Sequence, residues 1–308
     1  MSEVESKDPL RTRRVALAWL VALAALALAA DCVASDRPLV YARGGDLHVL
    51  PGDGPRGDAL RATLGPADWA IWPPIAADPI DVRTGGELRP LAPPSPAHRL
   101  GTDDRGRDVA ARLVHGARTS LTAAAIAAAL ATALALLLAL AAVRAGGTIE
   151  AAILALCDVL AAAPALLAVI AIGGLTGARG VAALALLVAI PRGADTARVV
   201  AASFASTLAE PFVAASRAAG ASPARILLRH ALPHATSTIA AAAAITAATT
   251  ILAEAALGFL GLGAPPPTPS WGELLAQASQ HELRWWLGVP AGLVTTFTAA
   301  AFLRVSRR

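Results

Sequence analysis

The sequence predicts an all-α integral membrane protein, with about six transmembrane helices and a long extracytoplasmic loop after the first. Three observations carry that prediction. Of 308 residues, 56% are hydrophobic and 16% charged, and the mean hydropathy is +0.59, which places the chain in the polytopic membrane class. Apolar stretches near the roughly 20 residues that a span requires lie at 15–34, 119–142, 150–173, 180–197, 236–258 and 286–303. Among the short connecting segments, arginines gather in alternate ones, the bias expected of cytoplasmic loops. The fourth stretch is the weakest, because Pro191, Arg192 and Asp195 interrupt its end, so five spans is the competing count.

Taken in order, Lys7, Arg11, Arg13 and Arg14 precede the first stretch and put the N-terminus in the cytoplasm. Residues 1–34 read as a cytoplasmic tail plus a retained first helix. A cleaved signal peptide is the rival, but the apolar run outlasts the usual 7–15 residues and Asp31-Cys32 is a poor cleavage or lipid-attachment context. Residues 35–117 form a polar outer segment rich in Pro, Gly and Asp, holding Trp69 and Trp72, either a small cap or a loosely ordered loop. Residues 118–308 form the helical core. Its second span turns at Arg144-Ala-Gly-Gly, and its third ends in a short outer loop at 173–180. Its fourth delivers 198–234 inside, with Arg198, Arg217, Arg225 and Arg229 against a single acid, Glu210. The fifth exits into 258–288, where Trp271, Trp285 and Trp286 suit an aromatic belt. The sixth returns to Arg304, Arg307 and Arg308, so both termini are expected in the cytoplasm of a bacterial inner membrane protein.

Several function classes drop out. A net charge of +4 and a pI near 10.0 follow from the inner-face arginines, so they do not argue for nucleic acid. Lys7 is the only lysine, and a phosphate-binding loop of the Gly-x-x-x-x-Gly-Lys-Ser/Thr type is therefore impossible in this chain. Neither His-Glu-x-x-His nor Gly-x-Ser-x-Gly occurs. Cys32 and Cys157 lie in or beside different spans and read as two buried, inert thiols. No catalytic residue, metal site or cofactor is indicated.

The most structured segment is the polar interruption at 204–234. Pro211 suits the first turn of a helix, Gly220 its end, Ser222 the cap of the next and Pro223 that helix's first position. Leu232-Pro233 marks the expected stop. Two short helices joined at a glycine, with Arg217, Arg225 and Arg229 among apolar residues, make a surface for a partner. An amphipathic loop lying on lipid headgroups is the alternative, but Ala214, Ala215, Ser216, Ala218 and Ala219 are poor membrane anchors.

The pattern Phe212-Val213, Ala215, Arg217, Gly220, then Arg229-His230-x-Leu232-Pro233 resembles the EAA loop of binding-protein-dependent ABC importer permeases. The glutamate that names that motif falls at Ala214 here, and Ser216 fills an alanine position. Two further stretches are similar to the dipeptide/oligopeptide/nickel permeases. One is Leu100-Gly101-Thr102-Asp103-Asp104-Arg105-Gly106-Arg107-Asp108. The other runs from Glu254 through Leu257, Phe259, Gly261 and Gly263 to Ser270-Trp271-Gly272. As a calcium loop the first fails, since its spacing is not that of an EF-hand and Arg105 and Arg107 oppose a cation. A structured, charged turn is the expected role. Asp36-Arg-Pro-Leu39, Trp72-Pro-Pro-Ile75 and Gly272-Glu-Leu-Leu-Ala-Gln277 look like the microcin C/oligopeptide branch.

The resemblance implies a type I ABC importer (MetI-like) permease fold and a chain that performs no chemistry. It implies a homologous second permease, two ATPase subunits that use the ATP, a soluble binding protein outside, and membrane lipid around the helices. Phe212, Val213, Ala215, Arg217, Gly220, Arg225, Arg229, His230 and Pro233 would form the coupling surface within 204–234. Asp158 with Pro164 six positions later matches the family's third span. The carboxylate is expected to pair near the inner end, with an arginine of the loop as one partner. Glu254 is expected to hydrogen-bond the glycine-rich turn, and His230 the backbone beside Pro233. The transported solute is a peptide or peptide-like molecule on this reading, with nickel or another small solute as the alternative. A secondary transporter or channel is the rival of another class, and a non-transporting membrane anchor a third.

Overall fold

The computed structural model describes residues 9–49, 56–80, 90–162, 180–282 and 284–307. In chain order the helices are α1 (Pro9–Leu28), α2 (Ala30–Val33), α3 (Gly57–Arg61), α4 (Val109–Ala145), α5 (Gly147–Ala162) and α6 (Val181–Leu208). They continue with α7 (Pro211–Ala218), α8 (Pro223–Ile226), a π-turn at Leu227–Ala231, α9 (Leu232–Phe259), α10 (Trp271–Gln280) and α11 (Trp285–Ser306). Three short strands, β1 (Val40–Arg43), β2 (Asp46–Val49) and β3 (Trp69–Ile71), lie between α2 and α4.

Among the described residues, three helical stretches are long and apolar enough to cross a membrane: Val109–Ala145, Pro223–Phe259 and Trp285–Ser306. A fourth results if α6 and α7, which meet at 67°, count as one broken span. The expected first span is helical, but its arginines at 11, 13 and 14 fall inside α1 and lower its apolar length. The expected third is described only over α5; Pro164 and most of the 173–180 loop lie outside the described residues.

Three boundaries differ from expectation, each for a local reason. The helix expected from 119 starts at Val109, ten residues earlier. Asp108 Oδ1 accepts the Ala111 N–H at 2.8 Å, capping it. At 37 residues α4 is about 55 Å long, well beyond the roughly 30 Å of hydrocarbon. The extra turns carry Arg112, His115 and Arg118, whose polarity hides the helix from a hydropathy reading. The fourth helix runs on through Pro191 to Leu208, so Arg198 belongs to α6 and not to a loop. Pro233 does not end its helix: the π-turn just before it widens the backbone where the proline ring would press on the Arg229 carbonyl, and the helix proceeds to Phe259.

The chain divides into two compact units. One comprises 18–122 and 254–297. Its sheet is antiparallel in the order β2-β1-β3, with Val40 opposite both Val49 and Ile71. Asp68 pins the hairpin turn by accepting N–H bonds from Gly44 (3.0 Å) and Gly65 (2.8 Å), and these donors hold its carboxyl below the usual range. Arg118 of α4 closes the end of α1, donating to the carbonyls of Ala27 and Leu28 and to Asp31. His115 bonds the Ala34 carbonyl at 2.8 Å. Trp271 and Trp286, expected in an aromatic belt, are buried here; Trp285 is exposed. Each buried indole N–H has a carbonyl partner, Leu113 at 3.0 Å and Thr102 at 3.2 Å.

The other unit comprises 1–17, 123–253 and 298–308. Along α4, Ala123, Ala127, Ala131, Ala135 and Ala139 recur every fourth residue and are all buried, a ridge without bulk. Gly193 of α6 lies against it: a Cβ there would come within 3.0 Å of the Ala131 carbonyl and 2.9 Å of Leu134. Ala194 and Ala197 pack with Ala135 and Cys157, while Val200, Ala201 and Phe204 pack with Ala139, Leu227, Ala231 and Ala235. Cys157 is buried as expected, but Cys32 is exposed.

Candidate functional site

The interrupted segment folds as its punctuation directs. Pro211 occupies the first turn of α7, where a missing N–H costs nothing. Gly220 has φ +83°, and two bonds close the helix end around it: Gly220 N–H to the Arg217 carbonyl (2.9 Å) and Ala221 N–H to the Ser216 carbonyl (3.0 Å). Ser222 Oγ accepts the Arg225 N–H, and Pro223 opens α8. Val213, Ile226 and Leu227 are buried and anchor the segment. Phe212 is exposed, its ring edge-on to His230 at 5.5 Å and stacked with His234 at 6.2 Å. That ring contact replaces the backbone bond expected of His230 beside Pro233.

Ala214, Ala215, Arg217, Ala218, Ala219 and Gly220 are exposed, as are Arg225, Arg229 and Pro233. Among the described residues no carboxylate lies within ion-pair distance of Arg217, Arg225 or Arg229. The result is a small-residue surface with uncompensated positive charge.

Asp158 of α5 pairs with Arg198 of α6 at 2.5 Å, so its partner is a helix residue and not one of the arginines between α7 and the π-turn. Arg192 and Asp195 form a second pair on α6 at 3.2 Å.

The Gly101–Asp108 stretch is a buried ionic frame. Asp103 is fully buried; its Oδ1 accepts the N–H groups of Arg105 (2.9 Å) and Arg107 (2.8 Å), and its Oδ2 accepts Arg107 Nε at 2.6 Å. Arg107 also reaches Glu273 of α10 at 3.1 Å, and Arg112 bonds both Glu273 and the Pro79 carbonyl. Gln277 donates to Glu273 and accepts the Asp104 N–H. Thr102 Oγ1 accepts the Ala92 N–H at 2.8 Å, and Asp108 Oδ2 lies 2.8 Å from His98 Nδ1. Gly106 makes the turn between Asp103 and Arg107. Burial, with Asp103 alongside, pushes the Asp104 carboxyl above its ordinary value.

Glu254 is buried; its Oε2 accepts the Ser120 hydroxyl of α4 at 2.9 Å, and Ser270 and the Gly272 backbone of the expected turn also lie against its carboxyl. Gly272 packs against the same carboxyl: a Cβ there would lie 3.1 Å from Oε1 and 2.6 Å from the Glu254 carbonyl. A Cβ on Gly258 would collide with the backbone of Gly272, and one on Gly263 would come 2.8 Å from Gly258 Cα. Gly261, at φ +74°, ends α9 with the same pair of bonds as Gly220 ends α7, and Phe259 beside it is exposed.

Sequence reasoning missed Arg112, Glu273, Gln277, His98 and Ser120, all members of these networks. Two signals existed. Arg112 stands in a run otherwise apolar enough to be helix, and Ser270-Trp-Gly-Glu273 has the spacing of a capping box, with Ser270 Oγ accepting the Glu273 N–H at 3.1 Å. The glutamate side chain goes to the arginines instead of back to its cap.

Residues 131–307 match the family described as the binding-protein-dependent transport system inner membrane component. The chain is 40% identical over 221 residues to the dipeptide transport system permease protein DppC of Escherichia coli K12, covering 69% of this chain and 73% of that protein. It is 36% identical over 207 residues to a di/tripeptide transport system permease of Pseudomonas aeruginosa, covering 66% and 67%. A glutathione transport system permease of Shigella flexneri is 40% identical over 185 residues, covering 60% and 61%. The chain belongs to the binding-protein-dependent transport system inner membrane components, among the dipeptide/oligopeptide-type ABC importer permeases.

Proposed function

We propose that this chain is one wall of the path by which peptides or peptide-like solutes enter the cell, and that residues 204–234 dock a separate ATPase subunit. The observation that carries the docking reading is the surface of α7: small side chains around Arg217, closed by the Gly220 turn, with Arg225 and Arg229 exposed beyond it and, among the described residues, no acid to neutralise them. Small residues let a helix approach a facing groove closely, and uncompensated cations favour an acidic one. Because Ala214 stands where the related loops carry glutamate, shape and arginine contacts bear the docking here. Buried Val213 anchors α7 from beneath, the Phe212–His230 ring contact ties it to the π-turn, and Ala215 and Pro233 lie on the exposed surface.

On this reading both termini and 204–234 are cytoplasmic, residues 35–117 face outward, and about six spans cross the membrane with α1 and α5 among them. A homologous permease completes the path, two ATPase subunits drive it, and a soluble binding protein delivers the solute. The relatives' names supply the peptide class. ATP-driven closure of the ATPases pushes on α7, and the helices rock between inward- and outward-facing states. Gly101, Thr102, Asp103, Gly106, Arg107, Asp108, Glu254, Gly261, Gly263 and Trp271 keep the outer frame rigid during that motion; Asp158 braces α5 on α6.

The test is Gly220→Asp. A side chain at φ +83° carries a strain of about 1–2 kcal/mol, and nothing lies within 4 Å of the new Cβ, so the chain should still insert in the membrane. Loss of ATPase co-purification and of ATP-dependent uptake is expected. Full retention of both would remove the docking assignment.

A further inference from the structure

Four charged side chains lie within one short stretch of α5 and α6, two helices that span the membrane on the reading proposed above. Arg192, Asp195 and Arg198 are spaced three apart on α6, and Asp158 of α5 pairs with Arg198. The opposite side of α6 is fully used: Gly193, Ala194, Ala197, Val200, Ala201 and Phe204 are buried against α4, α5 and the π-turn. The ionic side is not. Arg198 and Asp158 keep about half of their side-chain surface exposed (51% and 53%), Asp195 likewise (51%), and Arg192 about a quarter (27%). Around them the exposed residues of α6 are apolar, Leu186, Ile190 and Val199.

Charge of this kind cannot face lipid cheaply, and charged residues in spans mark polar pathways. Nor does a dry protein interface suit it. Each carboxylate has spare lone pairs, and drying two ion pairs costs several kcal/mol per ion. Water, or a solute carrying both signs of charge, satisfies all four groups. We propose that Asp158, Arg192, Asp195 and Arg198 line an aqueous path and bind the ammonium and carboxylate ends of a short zwitterionic peptide. The inference rests on the reading of the chain as a peptide permease and assigns the site that such a permease needs. From Arg192 to Arg198 the rung rises about 9 Å along α6, within the roughly 7–11 Å reach of a two- or three-residue peptide. Carboxylates hold the ammonium end and guanidiniums the carboxylate end, while the intrachain pairs keep the charges neutral between turnovers.

The experiment uses the full complex in proteoliposomes, with Cys32→Ser and Cys157→Ala removing the native thiols and Val199→Cys, exposed four residues beyond Asp195 on α6, introducing one beside the four charges. A membrane-impermeant, charged methanethiosulfonate should modify that cysteine in at least one state of the transport cycle. Free-ended dipeptide at about ten times its Kd should slow the modification by about tenfold, since only unoccupied sites react, and the same dipeptide blocked at both ends should not. No modification in any state would show a dry face and overturn the proposal, and so would modification that the free dipeptide leaves unchanged. A second variant, Arg192→Gln with Asp195→Asn, should raise KM for uptake by about tenfold while the loaded binding protein still stimulates ATP hydrolysis. Unaltered uptake would overturn it as well. If the unaltered complex took up no peptide with ATP, the substrate reading itself would fail, a result separate from all of these.

Discussion

Two arginine-bearing regions of this chain treat the same side chain in opposite ways. Between Gly101 and Gln277, Arg107 and Arg112 are almost fully buried and share the carboxylates of Asp103 and Glu273. Between Pro211 and Ala231, Arg217, Arg225 and Arg229 are exposed and, among the described residues, have no carboxylate to pair with. A buried charge must be compensated within the fold, whereas an exposed one can wait for a partner. The first region is therefore an internal frame, and the second is the surface proposed above to dock a partner. Glu273 shows the rule at work: a residue placed to complete a helix cap is drawn away by two buried guanidiniums.

The comparison breaks most visibly at Arg112. Arg112→Ala leaves Glu273 and Asp103 short of a cation, and about 3–5 kcal/mol of stability should be lost, read as a lowered thermal midpoint in detergent. An unchanged midpoint would mean that the frame is not held by its charges. Next in size is Gly272→Ala. Its methyl group would meet the Glu254 carbonyl at 2.6 Å, and forcing the two backbones apart should cost about 1–3 kcal/mol on the same measurement. Arg217→Glu sharpens the other half. Stability should stay within about 0.5 kcal/mol, as for an ordinary surface substitution, while ATPase association weakens in a way that added salt diminishes. A large fall in stability would instead make Arg217 part of a frame.

The smallest effect concerns Asp104, whose carboxyl is raised above its ordinary value of 3.8 by burial and by Asp103. A raised carboxyl binds its proton more tightly in the folded state, so its contribution is present below 3.8 and is lost as pH rises through the raised value. Asp104→Asn should accordingly raise the thermal midpoint slightly at pH 7, and the gain should disappear on acidification toward 3.8. A gain that persists in acid would point to a cause other than this charge.

How much was legible depended on the range of the interaction. Pro211, Gly220, Ser222 and Pro223 each act within four residues, by a fixed φ, a left-handed turn or a side-chain cap, and the fold honours all of them. Pro233 was misread because its stopping power was offset nearby, by the π-turn that removes its clash. The helix before residue 119 was illegible for another reason: Arg112, His115 and Arg118 look like loop until Glu273, Ala34 and Ala27 supply their partners. Likewise Trp271 and Trp286 are as suited to a membrane surface as to a core until a carbonyl is placed opposite each indole.

By itself, then, the sequence determined the membrane class, the family signatures, the lack of a nucleotide loop and the local bends of 204–234, because composition and nearest-neighbour sterics act without distant contacts. Only the tertiary structure decided which charges are frame and which are surface. Arg112 and Glu273 are 161 positions apart, and Asp158 meets Arg198 only once α5 packs on α6. The worth of a charge is set by whether water or a counter-charge surrounds it, and that is a property of the folded chain.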